Sequence, residues 1–384
     1  LVESGSEPGL LGMALHPDFL NTPTVYLAYT YVNGFSVEEK LVSYTWNGTM
    51  LTGETTLLSG IDGGGIHNGA RLLITTDNKI LMTTGDVGSG NLSQNSGSLN
   101  GKILRINMNG SIPSDNPTPG NYIYSTGHRN PQGLAYGPNG QIYSSEHGAQ
   151  QSDEFNIIEA GRNYGWPSVQ GACNTSAEIA FCNANNVMEP LSEYSPCVAV
   201  NGLCYYEHPA IPEWDGKMLM AVLGGFVQDP RLTVLEFNAA GTAVVSEDEY
   251  FANYGRIRDV CVNPHTGAIY FATNGPFYPS SGPNRIIEYR NLDYVTSVDP
   301  ASSTNQFMEV GPVPARAGTP IRLHFSENFI GEKVEVLSYT GATILSQSID
   351  ANSMELSTAK LSAGNYYLKA TNDLGTITRT IVIQ

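Results

Sequence analysis

Apolar residues along this chain come in short runs and never settle into a helical spacing. Stretches such as TVYLAYTY, ARLLITT, KILMTTG, KMLMAVL, LTVLEF and AIYFAT are β-branched or aromatic and end in Gly, Asn, Asp or Pro, so the pattern predicts an all-β fold. A larger unit also recurs, in which two apolar runs flank a turn built from Pro, Asp, Asn or Gly. Its centres are Pro17-Asp18, Asp77-Asn78, Pro138-Asn139-Gly140, Trp214-Asp215-Gly216 and Pro264-His265-Thr266-Gly267. Centres about 50–75 residues apart fit four-stranded propeller blades with long loops. Five units are visible, so in a six-bladed β-propeller the first blade is expected to lie ahead of residue 1.

The texture changes after Tyr289-Arg290. NLDYVTSVDPASSTNQ lacks apolar periodicity and reads as a linker, placed at residues 294–306 between a propeller at 1–293 and a last domain at 307–384. That last stretch alternates in PIRLHF, KVEVLSYTG and GNYYLKATNDLGTITRTIVIQ, with a hairpin turn expected at Asn372-Asp373-Leu374-Gly375. It predicts a small β-sandwich of immunoglobulin type.

The chain has 384 residues, of which 14% are charged, with 41 Gly and 22 Pro, which excludes disorder and collagen. Its net charge of −17, without any Lys/Arg run longer than two, argues against nucleic acid or an anionic membrane as partner. No membrane span is expected, because the longest apolar stretch, Met218 to Val227, is interrupted by Gly224 and Gly225. The chain opens LVESGSEPGLLGM, without a start Met or a signal peptide, so processing or truncation ahead of residue 1 is expected. Five cysteines form no CxxC pair. Cys173 with Cys182, and Cys197 with Cys204, suit two short-loop disulfides of an extracellular protein, whereas Cys261, in RDVCVNP, reads as a small buried hydrophobe.

Chemistry concentrates between Gly127 and Pro167, in GHRNPQGLAYGPNGQIYSSEHGAQQSDEFNIIEAGRNYGWP. Its loops are dense in Gly, Asn, Asp and Glu and poor in Lys, the composition a hard cation such as calcium requires and also that of ordinary turns. His67 stands in GGGIHNGARL, at a loop end where a propeller opens its central channel, after glycines that permit close backbone approach. Arg129, Arg256 and Arg258 occupy strand starts in an acidic protein. Arg256 and Arg258 share parity, which puts both on one face and favours an anion-binding wall.

These residues carry a resemblance. LLGMALHPDF, HNGARLLITTDNKILMTTGD, LNGKILRINMNGSIPSDNP, GHRNPQGLAYGPNG, SEHGAQQSDEFNIIEAGRNYGWP, PEWDGKMLMAVL and GRIRDV resemble, in order from Gly9 to Tyr289, the soluble glucose/sorbosone dehydrogenases. The resemblance implies a six-bladed propeller that uses pyrroloquinoline quinone (PQQ) with calcium, its first blade upstream of Leu1. It makes His67 the general base toward the sugar's anomeric hydroxyl and Arg129 the group that stabilises charge on the quinone oxygen. It counts Arg129, Asn130, Arg256 and Arg258 as cofactor-binding. Calcium falls on the carbonyls of Gly148 and Ala149, and a second calcium on Glu154 and the carbonyl of Tyr164. Three positions depart from the family pattern: Gly224 where a cofactor lysine is expected, Ile66 where the glucose enzymes have an acid, and Ala149 where they have Pro. Losing the lysine's charge-assisted bond, at roughly 2 kcal/mol, would weaken cofactor binding about 30-fold.

The C-terminal stretch, with its GNYYLKA strand and a last strand at the chain end, resembles a type IX secretion sorting domain. Together the features predict a secreted or cell-surface quinoprotein that oxidises an aldose-type sugar by hydride transfer to PQQ. Its expected partners are the sugar, an unidentified electron acceptor and the type IX secretion machinery. The alternatives are a propeller that has lost the cofactor and binds carbohydrate or protein, and a calcium-dependent lactone hydrolase, which needs several side-chain carboxylates or amides on one ion.

Overall fold

The computed structural model describes residues 2–3, 7–225, 229–276, 282–292, 294, 308–330, 332–338, 341–372 and 375–384. The chain forms two units, Leu1–Leu292 and Asp293–Gln384. The first holds five antiparallel sheets in which every strand pairs with the next in sequence. They comprise β1 (Leu10–Leu15), β2 (Thr24–Asn33), β3 (Ser36–Trp46) and β4 (Leu51–Asp62); then β5 (Gly69–Ile74), β6 (Lys79–Thr84), β7 (Lys102–Asn107) and β8 (Ile123–Thr126). The third sheet is β9 (Pro131–Tyr136), β10 (Ile142–Glu146), β11 (Asp153–Ile158) and β12 (Ser192–Tyr194), with α1 (Ser176–Asn185) inserted before β12. The fourth is β13 (Val200–Tyr206), β14 (Lys217–Val222), β15 (Arg231–Phe237) and β16 (Val244–Tyr250). The fifth is β17 (Ile257–Val262), β18 (Ile269–Thr273) and β19 (Ile286–Tyr289), three strands among the described residues rather than the expected four.

This is a β-propeller. The first strands of successive sheets, β1, β5, β9, β13 and β17, lie side by side. That close approach explains Gly133: a Cβ there would collide with Ser145 Oγ and the Asn201 carbonyl of the next sheet. Apolar clusters fill the spaces between sheets. Leu41, Ile80 and Met82 belong to one, Tyr143, Phe155 and Val200 to another, and Leu219, Ile257 and Phe271 to a third. Middle strands are therefore buried on both faces, as in β6 and β14, whereas the outermost β16 exposes Ser246 through Tyr250, whose charges blunt a free sheet edge.

The second unit is a sandwich of two sheets. One is β20 (Met308–Gly311), β21 (Ile321–Phe325) and β24 (Ser353–Leu356), and the other is β23 (Thr343–Ser348), β22 (Lys333–Leu337), β25 (Gly364–Asn372) and β26 (Gly375–Ile383). Ile321, Leu323, Phe325, Val334, Val336, Leu368 and Ile381 share one core. The linker expected at 294–306 lies outside the described residues except Tyr294, and Asp373 and Leu374 of the expected hairpin turn also lie outside them.

Cys173 and Cys182 form a disulfide. Two other cysteine expectations are corrected. Cys197 and Cys204 are free thiols, because β13 is extended from Val200. Four steps of roughly 3.3 Å carry Cys204 about 13 Å along the strand, beyond the reach of a disulfide. Cys261 is exposed: in β17 Val260 and Val262 join the cluster shared with the fourth sheet, so Cys261 points the other way.

Candidate active site

A cavity of about 940 Å³ opens where the first strands converge, and His67, Arg129, Asn130, Gly148, Ala149, Arg256 and Arg258 all line it. The loop ahead of β5, the segments flanking β9 and β10, and the start of β17 supply these residues. Glu154 and Tyr164 stand apart from it, lining a void of about 10 Å³ that also touches Arg129, Glu146, His147 and Gly148.

His67 sits in the loop ahead of β5 at φ 55°, a backbone conformation rare for a residue with a side chain and tolerated only where the surroundings enforce it. They do so here. Its N–H donates to Glu7 Oε2 (2.6 Å) and its carbonyl accepts from the Val87 N–H (3.3 Å). The ring's Nδ1 lies 2.7 Å from Asp86 Oδ1. Asp86 Oδ1 also accepts from the Gly88 N–H, and Oδ2 accepts from Trp166 Nε1–H, each at 2.8 Å. Burial pushes the Asp86 carboxyl up, but the bonds from His67, Gly88 and Trp166 outweigh it and hold the group below the usual carboxylate range. An ionised Asp86 only accepts, so Nδ1 carries the proton and Nε2 of His67 is the nitrogen free to take another.

Arg129 follows β8 and precedes β9. Its guanidinium donates to the His147 carbonyl (3.2 Å) and lies 5.3 Å from the ring centroid of Trp166. Its buried Nε–H has no protein partner among the described residues, and neither does the buried Nε2 of His147 beside it. Glu146, at the end of β10, accepts from the backbone N–H groups of Arg129 and Asn130 and pairs with His128 Nδ1 (2.9 Å), which fixes the turn bearing these two cavity-lining residues. Asp153, at the start of β11, accepts from the Gly148 N–H (2.8 Å) and the N–H groups of Val198 and Ala199, and so holds the other end of the hairpin.

Arg256 donates from Nε to the Leu223 carbonyl (3.3 Å). Arg258 is pushed down to about 10, first by burial and then by Arg256 and Arg71. Arg71, from β5, reaches across the channel to Asp259 Oδ2 (2.6 Å) and to the Gln132 carbonyl (2.8 Å). Four arginines therefore wall one cavity in a protein of net charge −17, alongside Glu7, Asp153 and Asp259, the last paired with Arg71.

Residues 1–277 match the glucose/sorbosone dehydrogenase family. This chain belongs to that family. Residues 309–384 match the secretion system C-terminal sorting domain, which marks the chain for secretion or the cell surface. The chain is 37% identical over 249 residues to quinoprotein glucose dehydrogenase B of Acinetobacter calcoaceticus, covering 56% of this chain but only 51% of that relative's length. It is 29% identical over 282 residues to aldose sugar dehydrogenase YliI of Escherichia coli, covering 69% of this chain and 74% of that one. Among solved structures, the PQQ-bound aldose sugar dehydrogenase of Streptomyces coelicolor is similar with a TM-score of 0.63 and 33% identity, covering 75% of this chain and 81% of that one.

This family member departs from the expected cofactor contact at Gly224. The residue lines the cavity at φ 75°, a left-handed conformation that a lysine would adopt only at a cost of about 1 kcal/mol or more. Around the small void, Glu154 Oε1 accepts from the Gly171 N–H and Oε2 from Asn156 Nδ2. Burial and then the neighbouring Glu146 push the Glu154 carboxyl up to about 8. Glu146, buried, and Glu154, partly buried, both line that void. No group of three or more His, Cys, Asp or Glu side chains shares a potential metal position among the described residues.

Sequence reading missed Glu7, Arg71, Asp86, Glu146, Asp153 and Trp166. Three had a signal: Arg71 shares the GGGIHNGARL segment with His67, Asp86 closes the strand run KILMTTGD, and Trp166 stands in NYGWP.

Proposed function

We propose that this chain is an extracellular oxidoreductase that removes hydride from an aldose-type sugar hydroxyl, with PQQ as the acceptor and calcium to hold it. The observation that carries the reading is the convergence of His67, Arg129, Asn130, Arg256, Arg258 and the Gly148–Ala149 turn on one cavity. The names of the Acinetobacter and Streptomyces relatives support it. Export is assigned to type IX secretion machinery acting on the C-terminal sorting domain.

When bound, PQQ supplies an electrophilic carbon that accepts the hydride. The chain's own residues do the rest. His67 takes the proton of the sugar hydroxyl at Nε2, while Asp86 keeps Nδ1 protonated and bears the imidazolium charge as it forms. Arg129, a cation, would stabilise negative charge as it develops on the acceptor's oxygen, and its Nε–H, without a partner among the described residues, is a donor available for it. Arg256, Arg258 and Arg71 would neutralise the acceptor's carboxylates. The carbonyls of Gly148 and Ala149 would hold one calcium, and Glu154 with the Tyr164 carbonyl a second.

Binding tests the reading directly. Calcium-loaded protein titrated with PQQ should bind at about one equivalent, and Arg256→Ala should weaken that binding about tenfold or more, the size of a lost charge-assisted bond. Undiminished binding by Arg256→Ala together with Arg258→Ala would remove the arginine wall from the account.

A further inference from the structure

We propose that Trp166 is a positioning residue that sets the base His67 and the quinone-facing Arg129 in one arrangement, an inference that rests on the function proposed above. The indole contacts Asp86, the partner of His67, and Arg129 through different parts of its ring. Its edge donates Nε1–H to Asp86 Oδ2 at 2.8 Å, and the other oxygen of Asp86 lies 2.7 Å from His67 Nδ1. Its face lies 5.3 Å from the Arg129 guanidinium. His67, Asp86, Trp166 and Arg129 form a continuous chain from one proposed catalytic side chain to the other, through groups drawn from the second and third sheets.

The ring is itself fixed. The Trp166 N–H donates to the Gly127 carbonyl (3.1 Å), and its carbonyl accepts from Gln94 Nε2 (2.7 Å). Gly90 leaves room for it, since a Cβ at Gly90 would come within 3.1 Å of Nε1. Trp166 is only partly buried and lines the small void with Arg129, a place where core packing alone gives no reason for so large a side chain. Chemistry does give one. Indole alone among side chains combines an N–H donor in the ring plane with the broad π face that best holds a guanidinium. Asp86 has two oxygens: one orients the base, and the other is anchored by Trp166. Without that anchor only the Gly88 N–H at Oδ1 restrains the carboxylate's rotation, and the imidazole is held less firmly in direction.

Two substitutions separate the edge from the face. Trp166→Phe keeps an aromatic face and removes the donor, so turnover in PQQ-loaded protein should fall about tenfold or more while PQQ affinity stays within about twofold. Trp166→Leu removes both, so PQQ affinity should fall as well. A readout independent of catalysis comes from cofactor-free protein labelled with 15N-histidine. The wild type should show a protected Nδ1–H proton for His67, assigned by its loss in His67→Ala, and Trp166→Phe should broaden or lose it. Wild-type turnover together with an unchanged Nδ1–H signal in Trp166→Phe would overturn the proposal, as would equal PQQ affinity in Trp166→Leu and wild type. Should wild-type protein oxidise no sugar with PQQ, the functional reading fails, and the Nδ1–H comparison still decides whether Trp166 holds the base. If Trp166→Leu does not fold, Trp166→Phe alone carries the test.

Discussion

Replacing Glu146 by leucine would remove the acceptor shared by the Arg129 and Asn130 N–H groups and by His128 Nδ1. Asn130 and His128 are buried and Arg129 partly so, and His128, whose other nitrogen is 2.9 Å from Ser125 Oγ, has no exposed surface. A buried donor left unpartnered costs about 1–3 kcal/mol. Leucine returns about 1 kcal/mol of apolar burial, so the net loss should be about 2–8 kcal/mol, a large part of the 5–15 kcal/mol that holds a domain folded. Glu146→Gln keeps one oxygen for both backbone donors and offers an amide N–H to a His128 tautomer deprotonated at Nδ1. Its expected cost is about 1 kcal/mol. The three tryptophans, Trp46, Trp166 and Trp214, all lie in the propeller unit, so denaturant unfolding followed by their fluorescence reports that unit alone. A leucine variant within about 1 kcal/mol of wild type, or a glutamine variant as damaged as the leucine one, would refute the argument that this carboxylate organises the Arg129 turn.

Asp86→Asn should lower turnover about 10²–10⁴-fold with PQQ affinity kept, because it disturbs a proton-transfer geometry and no cofactor contact; steady-state rates at saturating PQQ read it. Arg105 lies between Asp77 and Asp115 with its side chain largely buried, and holds both carboxyls below their usual range. A depressed folded-state value gives stability that is present above about pH 4 and lost as pH falls through it, so the destabilisation by Arg105→Met should be full at pH 7 and shrink below pH 4 in denaturation curves. Denatured, unreduced protein should titrate three free thiols, Cys197, Cys204 and Cys261, and Cys173→Ser with Cys182→Ser should cost about 2–3 kcal/mol, as expected for so short a loop. Gly224→Lys should lower the melting temperature through its left-handed φ, and a calcium-loaded PQQ titration then shows whether the added ammonium tightens binding.

The propeller was legible because its sheets stack on both faces, so each blade's middle strands read as unbroken apolar runs bounded by turn residues. KILMTTG and KMLMAVL became β6 and β14. Arg129, Arg256 and Arg258 stood out because arginine at a strand start in an acidic chain is unusual, and His67 because it follows a glycine run at a loop end; all four line one cavity. Asp86 and Glu146 did not stand out, since a lone carboxylate at a strand end looks like turn chemistry until strand pairing, β5 with β6 and β9 with β10, brings a histidine to it. Arg71 illustrates the same limit: its partner Asp259 is 188 residues away, a pairing that only closure of the channel creates. The Cys197–Cys204 expectation failed for a local reason. Spacing in sequence says nothing of an extended strand between the two thiols.

The most direct test of the account is anaerobic mixing of an aldose with calcium- and PQQ-loaded protein, following the absorbance of the bound quinone. The wild type should reduce it in a sugar-dependent single turnover, and His67→Ala, carrying the same amount of PQQ, should do so about 10²–10⁴ times more slowly. A wild type that binds PQQ yet leaves it oxidised with every sugar of a broad panel, or a His67→Ala protein that reduces it at the wild-type rate, would contradict the account.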